Sequence, residues 1–310
     1  KMLRPMAGVA SARVWTRLAS TVAQHARTQR NNSAKAFMVG GSAAAAVLGY
    51  AALTGQQSAH AAAEEPKSGA WFVKPWTSYQ AVAALPDRVP GFERVHVLRK
   101  TYFTMSLFTK IRDKDTPRSV FVINARKIAD MLLAEALCLL PCKPRTVTTP
   151  VDGSTYVGME MPDPEKELCL ISILRAADCM ADEFSRHLPG VATGKILIQR
   201  DEETAKPKLF FSKLPSDVSK RRVLVVDPML ATGGSAVEAV RVLREAGVPE
   251  QSIVFVSIVA APAGMEKLMA AHPQIQLLVG EVDRALNSKC YIVPGCGDFG
   301  DRFYGTEMGF

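Results

Sequence analysis

Residues 223–244 constrain the fold more than any other stretch of this chain. Val223-Leu-Val-Val226 is an apolar run that ends at Asp227, turns through Pro228-Met-Leu-Ala-Thr-Gly-Gly-Ser235 and opens into Ala236-Val-Glu-Ala-Val-Arg-Val-Leu-Arg244. The run reads as a buried strand, and the stretch after Ser235 keeps apolar residues at helical spacing. Thr232, Gly233, Gly234 and Ser235 place two glycines and two hydroxyls where that helix begins, so main-chain N–H groups can face an anion with the helix dipole behind them. Glycines after a buried strand are also ordinary turn punctuation in α/β proteins, and the loop by itself leaves both readings open. No Lys follows the glycines, which excludes a P-loop, and G-x-G-x-x-G is absent, which excludes the dinucleotide fingerprint. An acid at a strand end beside a hydroxyl–glycine loop suits ribose hydroxyls and a 5′-phosphate held side by side.

Further strands flank this unit. Leu168–Leu174 is a buried strand ending at Arg175, Asp178–His187 forms a short helix, and Gly194–Gln199 is a strand ending at Arg200. Lys208–Leu214 alternates like half of an exposed hairpin. Ser252–Ala260 is a strand, a helix starts at Pro262, and Gln276–Val279 is another strand. Strands alternating with helices predict an α/β fold with a doubly wound, mostly parallel sheet and ligands at the carboxyl ends of its strands, where Arg175, Arg200 and Asp227 stand. From Val95 to Leu140 the pattern is helical, with Leu107, Phe108, Ile111, Ile123, Ile128, Met131, Leu132 and Leu139 on the apolar side and Pro141 as the stop, which predicts a helical cap before the sheet.

The front of the chain has a different character. Net charge is +8, but residues 1–63 carry Lys1, Arg4, Arg13, Arg17, Arg27, Arg30 and Lys35 with no acid, which leaves 31 basic against 30 acidic residues beyond them. That near-neutral remainder, without basic–aromatic interleaving, argues against nucleic acid as a partner. Residues 1–35 have the Arg-rich, acid-free composition of an organellar presequence, and the mitochondrion is the expected address. Residues 36–54 are nineteen uncharged residues, about 28 Å as a helix, and make a candidate transmembrane helix of marginal apolarity. A presequence's second half and a soluble Ala-rich helix are the alternatives. Residues 55–93, with Pro66, Pro75, Pro86, Pro90, Trp71 and Trp76, read as a linker and extended segment before a domain at 94–310. The six cysteines show no C-x-x-C pair and are expected to be reduced and mostly buried. The five histidines suggest no metal site.

The chain closes on Tyr291-Ile-Val-Pro-Gly-Cys-Gly-Asp298-Phe-Gly-Asp301-Arg302-Phe-Tyr-Gly305-Thr306. Its density of Gly and Asp predicts a binding loop, neither helix nor clean strand, whose main-chain polar groups go to other loops or to a ligand.

Taken together, Ile173-Leu-Arg-Ala176, Gln199-Arg-Asp-Glu-Glu-Thr204, Val225–Ser235 and Tyr291–Thr306 resemble uracil phosphoribosyltransferases, in the right order across residues 94–306. The resemblance implies a phosphoribosyltransferase-type sheet with a β-hairpin hood, formed in part by Lys208–Leu214, that excludes water. It implies transfer of ribose 5-phosphate from phosphoribosyl pyrophosphate to uracil, giving UMP and pyrophosphate, with Mg²⁺ as the usual cofactor. Arg175 and Arg200 would hold the pyrophosphate and Asp227 the ribose hydroxyls. Pro228, Met229, Leu230, Ala231, Thr232, Gly233, Gly234 and Ser235 would complete the phosphoribosyl pyrophosphate site. Uracil would be read by main-chain groups at Ile292, Gly297 and Phe299, with Asp298 facing the reacting centre between the substrates. Arg175, Asp227 and Asp298 are thereby the candidate catalytic residues.

Two departures accompany the resemblance. Phe299 replaces the Ala of many bacterial members. Ala177 stands where the family carries Gly, and with positive φ it would cost on the order of 1 kcal/mol and weaken the pyrophosphate side. Ala177 and the N-terminal extension support an alternative, a catalytically weak or inactive accessory subunit of a mitochondrial inner-membrane complex joined through residues 1–93. Members of the family are often dimers or tetramers, so a homo-oligomer is implied by resemblance alone.

Overall fold

The structure is a computed structural model that describes residues 89–200 and 207–306, apart from the side chains of Arg200 and Pro207. The expected presequence at 1–35, the candidate span at 36–54, most of the linker and the acidic turn after Arg200 lie outside those residues. Among the described residues no helix is long and apolar enough to cross a membrane.

The Val-, Ile- and Leu-rich runs become strands of one eight-stranded sheet. In chain order the elements are β1 (Val95–Val97), α1 (Tyr102–Arg112), α2 (Arg118–Cys138), β2 (Lys143–Thr148), β3 (Thr155–Glu160), α3 (Pro164–Glu167) and β4 (Leu168–Leu174). Then follow α4 (Asp178–His187), β5 (Ala192–Arg200), β6 (Pro207–Lys213), β7 (Arg222–Val226), β8 (Met229–Leu230) and α5 (Gly234–Glu245). The chain ends with β9 (Ile253–Ala260), α6 (Pro262–Ala271), β10 (Gln276–Val282), β11 (Ala285–Leu286), β12 (Ile292–Val293) and α7 (Phe299–Tyr304).

The strand order is β1-β10-β9-β7-β4-β5-β6, with β8 added beside β9. Every pairing in this sheet is parallel except β5 with β6, which is the antiparallel hairpin expected at the hood. All eight residues of β9 and six of seven in β4 are buried, so the sheet is covered on both faces, as parallel sheets require. One layer is α2 on β9 and β10 with α4 on β4, and the other is α5 on β5 and β6 with α6 beside it. The chain leaves β4 toward β5 on one side and returns to β7 on the other. That reversal is a topological switch point, and the crevice it opens at the strands' carboxyl ends lies between Arg175 and Asp227.

Two expectations are corrected and one element is new. Val95–Val97 is an edge strand paired with Leu277–Val279, not the start of a helical region; three residues are too few to show a period against the helices that follow. Residues 143–160 form an unanticipated hairpin, β2 with β3, whose turn puts Asp152 and Gly153 at φ 49° and 66°. An Asp-Gly pair between alternating Thr, Val and Tyr residues is the local signal for such a turn. The closing segment does contain a helix, α7, with Asp298 accepting from Asp301 N at 2.9 Å and Gly305 at φ 74° as its C-cap. Part of its Asp and Gly content therefore serves as helix caps. Of the cysteines, all free, Cys169, Cys179 and Cys296 are buried and Cys138, Cys142 and Cys290 exposed.

Candidate active site

The phosphate-type loop is shaped by how its limbs are fastened. Pro228 O accepts from Ile258 N and Val259 N, and Leu230 O accepts from Ala261 N, which seats the loop along β9. Pro228 and Leu230 are buried, and their carbonyls face the sheet, so these two named residues hold the loop in place. Gly233 then turns at φ 74° as the N-cap of α5, with no side chain capping that helix. Gly233 has no side chain to occupy the first-turn N–H groups, and the helix dipole's positive end lies there, the arrangement that receives an anion. A Cβ on Gly233 would lie 2.6 Å from Gly264 O, and one on Gly264 would lie 2.5 Å from Ala231 O. The loop and the start of α6 touch through bare backbone.

Asp227 sits at the carboxyl end of β7, half-buried, with Oδ1 accepting from Met229 N at 3.4 Å. Burial pushes its carboxyl up to about 7, and the Met229 N–H only partly opposes this. Arg175 leaves β4 one strand away and is exposed, with Nη2 donating to Asp301 Oδ1 at 2.7 Å. Thr306 and then Arg175 hold the Asp301 carboxyl below its usual range. Arg200 ends β5 at the neighbouring strand end; its side chain lies outside the described residues.

Ala177 adopts φ −68° and ψ −17° at the head of α4 and is fully buried. The expected penalty required positive φ, so it does not arise: right-handed helical backbone admits Ala without strain.

A cleft of about 330 Å³ lies between the phosphate-type loop and the closing segment. Met229 and Ala231 line it from the phosphate-type loop, Ile292, Gly297, Asp298, Phe299 and Gly300 from the closing segment, and Ala176 from beyond β4. Lys289, Cys290 and Tyr291 complete it from the turn before β12 and were not anticipated as lining residues. Asp298 is exposed at this cleft while capping α7. Phe299 turns its ring inward, 5.2 Å edge-on from Phe121 and stacked on Phe303 at 6.1 Å, so only its main chain is offered to the cleft.

Behind the cleft lie charges that no motif pointed to. Arg112, at the end of α1, meets Asp283 at 2.7 and 2.9 Å and Glu281 at 2.8 Å, and donates to Gly295 O at 2.8 Å. Arg302 donates to Cys296 O at 2.7 Å and to carbonyls of Ile111 and Asp113. Arg112 follows an amphipathic helix with no local signature, and Arg302 lies inside the closing motif without a legible role. A trio that could hold a cation, Asp130, Glu183 and His187, is remote in function: Arg186 and Arg126 already neutralise Glu183 at 2.9 and 3.6 Å.

The sequence profile of the uracil phosphoribosyltransferase family matches residues 97–306. A uracil phosphoribosyltransferase of Dictyostelium discoideum is 44% identical over 215 residues, which is 69% of this chain and 98% of that protein. Its counterpart from Saccharomyces cerevisiae is 42% identical over 217 residues, covering 69% of this chain and 97% of the yeast protein. Among solved structures, a protein from Aquifex aeolicus is 27% identical and superposes with a TM-score of 0.59 over 68% of this chain and 99% of its own.

Proposed function

The chain belongs to the uracil phosphoribosyltransferase family, and from that premise we propose that its cleft transfers ribose 5-phosphate from phosphoribosyl pyrophosphate to uracil. The observation that carries the reading is the single cleft shared by Met229 and Ala231 on one side and Ile292 and Gly297–Gly300 on the other. Donor and acceptor sites, some sixty residues apart in sequence, face one volume.

The 5′-phosphate rests on the amides at the start of α5, and Asp227 takes the ribose hydroxyls. Arg175 is placed for the leaving pyrophosphate once it exchanges Asp301 for the ligand, and its planar fork suits phosphate oxygens. Arg200 approaches from the next strand. Uracil lies against the main chain of Ile292, Gly297 and Phe299, and the exposed carboxylate of Asp298 faces the ribose carbon as positive charge develops there. Mg²⁺ fits the residues present, since the half-buried Asp227 carboxyl accepts a long hydrogen bond from Met229 N at 3.4 Å and would help to hold a cation. Such an ion would neutralise the leaving pyrophosphate. The β5–β6 hairpin, with Phe210 and Phe211 about half exposed, closes over the donor and keeps water from it.

The accessory-subunit alternative loses one of its supports, because Ala177 is unstrained. The acid-free opening of the chain supports a mitochondrial address, and residues 1–63 fused to a fluorescent protein would display it or fail to. For the activity, radiolabelled uracil, phosphoribosyl pyrophosphate and Mg²⁺ should give UMP. No turnover, together with no binding of either substrate, would overturn the reading.

A further inference from the structure

Glycine load alone does not orient a main chain. Gly295 and Gly297 adopt φ 64° and 77°, conformations that glycine reaches at no steric cost but does not hold without help. Something must fix the peptide planes that face the base.

Three side chains do so on three successive planes. Asp283 Oδ2 accepts from Gly295 N at 2.8 Å, which fixes the plane between Pro294 and Gly295. Arg112 Nη1 donates to Gly295 O at 2.8 Å, which fixes the plane between Gly295 and Cys296. Arg302 Nη1 donates to Cys296 O at 2.7 Å, which fixes the plane between Cys296 and Gly297. A trans peptide is planar, with its C=O and N–H on opposite sides. Holding Cys296 O therefore turns the Gly297 N–H away from Arg302.

Each of the three is itself anchored. Arg112 and Asp283 form a two-pronged ion pair, with Asp283 4% exposed and Glu281 as a second acid on Arg112. The Arg302 guanidinium lies 4.4 Å over the Phe121 ring and gives two further donors to Ile111 O at 2.5 Å and Asp113 O at 2.7 Å. Phe121 in turn packs against Phe299. The carboxyl end of α1, the end of β10 and α7 thus converge on residues 295–297, and Gly297 is the one of these that lines the cleft.

We propose that Arg302, together with the Arg112–Asp283 pair, is a positioning device for base recognition: by pinning the peptide planes of 294–297 it aims the Gly297 N–H at the acceptor base. This rests on the uracil reading of the cleft. Arg302 touches no substrate, and its effect reaches the base only through the main chain.

The test uses the full chain with Arg302→Met, which keeps a long apolar side chain beside Phe121 and removes the donors, and Arg302→Lys, which keeps the charge but not the fork. Arg118→Lys is the control, since Arg118 Nε grips Phe303 O on the same helix at 2.9 Å away from the base loop. Both Arg302 variants should raise the KM for uracil at least about tenfold and leave that for phosphoribosyl pyrophosphate within about twofold. Amide hydrogen exchange of residues 292–300 in the ligand-free protein should accelerate at least about tenfold in both, with the control unchanged. Unchanged exchange in Arg302→Met overturns the proposal, as does an equal rise in both KM values or a uracil KM that does not move. If the unaltered protein neither binds nor converts uracil, the functional reading fails on its own, and the exchange rates still decide whether Arg302 pins the loop.

Discussion

At the scale of single residues, Asp227 shows function opposing stability. Its carboxyl is raised from 3.8 to about 7 by burial, so the folded chain holds a proton that the unfolded chain has already lost. Stability from this group is therefore full below about pH 4 and is lost progressively up to about pH 7, a swing on the order of 4 kcal/mol. Asp227→Asn keeps an oxygen for Met229 N and carries no charge. It should raise Tm by several degrees at pH 8 and by distinctly less at pH 5, and reduce UMP formation at least about a hundredfold. Thermal melts at the two pH values check the cause; an equal gain at both would mean that ionisation is not involved. Gly233 and Gly264 make a second pair of expectations. Gly233→Ala adds left-handed strain to a clash with Gly264 O, while Gly264→Ala adds only the clash with Ala231 O and Leu230 O. Both should raise the KM for phosphoribosyl pyrophosphate about tenfold or more, with Gly233→Ala losing about 1–2 kcal/mol further in denaturant unfolding. Ala177 reverses an expectation: in right-handed backbone at a helix start, Ala177→Gly should leave KM unchanged and cost stability up to about 1 kcal/mol.

At the scale of elements, legibility follows the reach of the interaction. The strand–loop–helix at 223–245 was readable because a fully buried parallel strand must be a continuous apolar run and an anion-binding turn must be built from small residues. β1 was not, since its strand character comes from Leu277–Val279 across the sheet rather than from its own three residues. The Asp298–Gly305 helix was hidden because caps and binding loops draw on the same residues. The Arg112 and Arg302 anchors join positions about 170–190 residues apart or tie side chains to carbonyls, and neither leaves a period or spacing in sequence. The hood hairpin was recognisable by its alternation, but not the side-by-side exposure of Phe210 and Phe211 beside Lys208, whose Nζ lies 5.5 Å from the Phe210 ring. Two exposed aromatics on one hairpin cost solvation in the open state and suit a surface that closes on something. Phe210→Ser with Phe211→Ser should therefore increase pyrophosphate release in the absence of uracil, measured against UMP formation with uracil present. A ratio that does not change would separate these rings from water exclusion.

At the scale of the whole molecule, the family match begins at residue 97, yet Val89 is already 3% exposed within the core. The folded unit therefore reaches slightly further forward than the matched segment, and a chain cut at residue 97 would leave a hydrophobic hole. The described residues that line the cleft and the Arg112, Asp283 and Arg302 anchors of its base loop, with the carbonyls that hold Arg302, lie between 111 and 302. The seven excess positive charges, by contrast, lie within residues 1–63. Chemistry and address should then be separable. A chain beginning at Leu85 is expected to keep both KM values within about twofold and kcat likewise, whereas one beginning at Val97 should lose at least about 1–3 kcal/mol from the missing Val89 contacts and two of the three residues of β1. Steady-state kinetics and denaturant unfolding on the pair decide it. Loss of turnover in the chain beginning at Leu85, with its melting temperature intact, would assign residues 1–84 a part in catalysis that the cleft's own geometry gives no reason to expect.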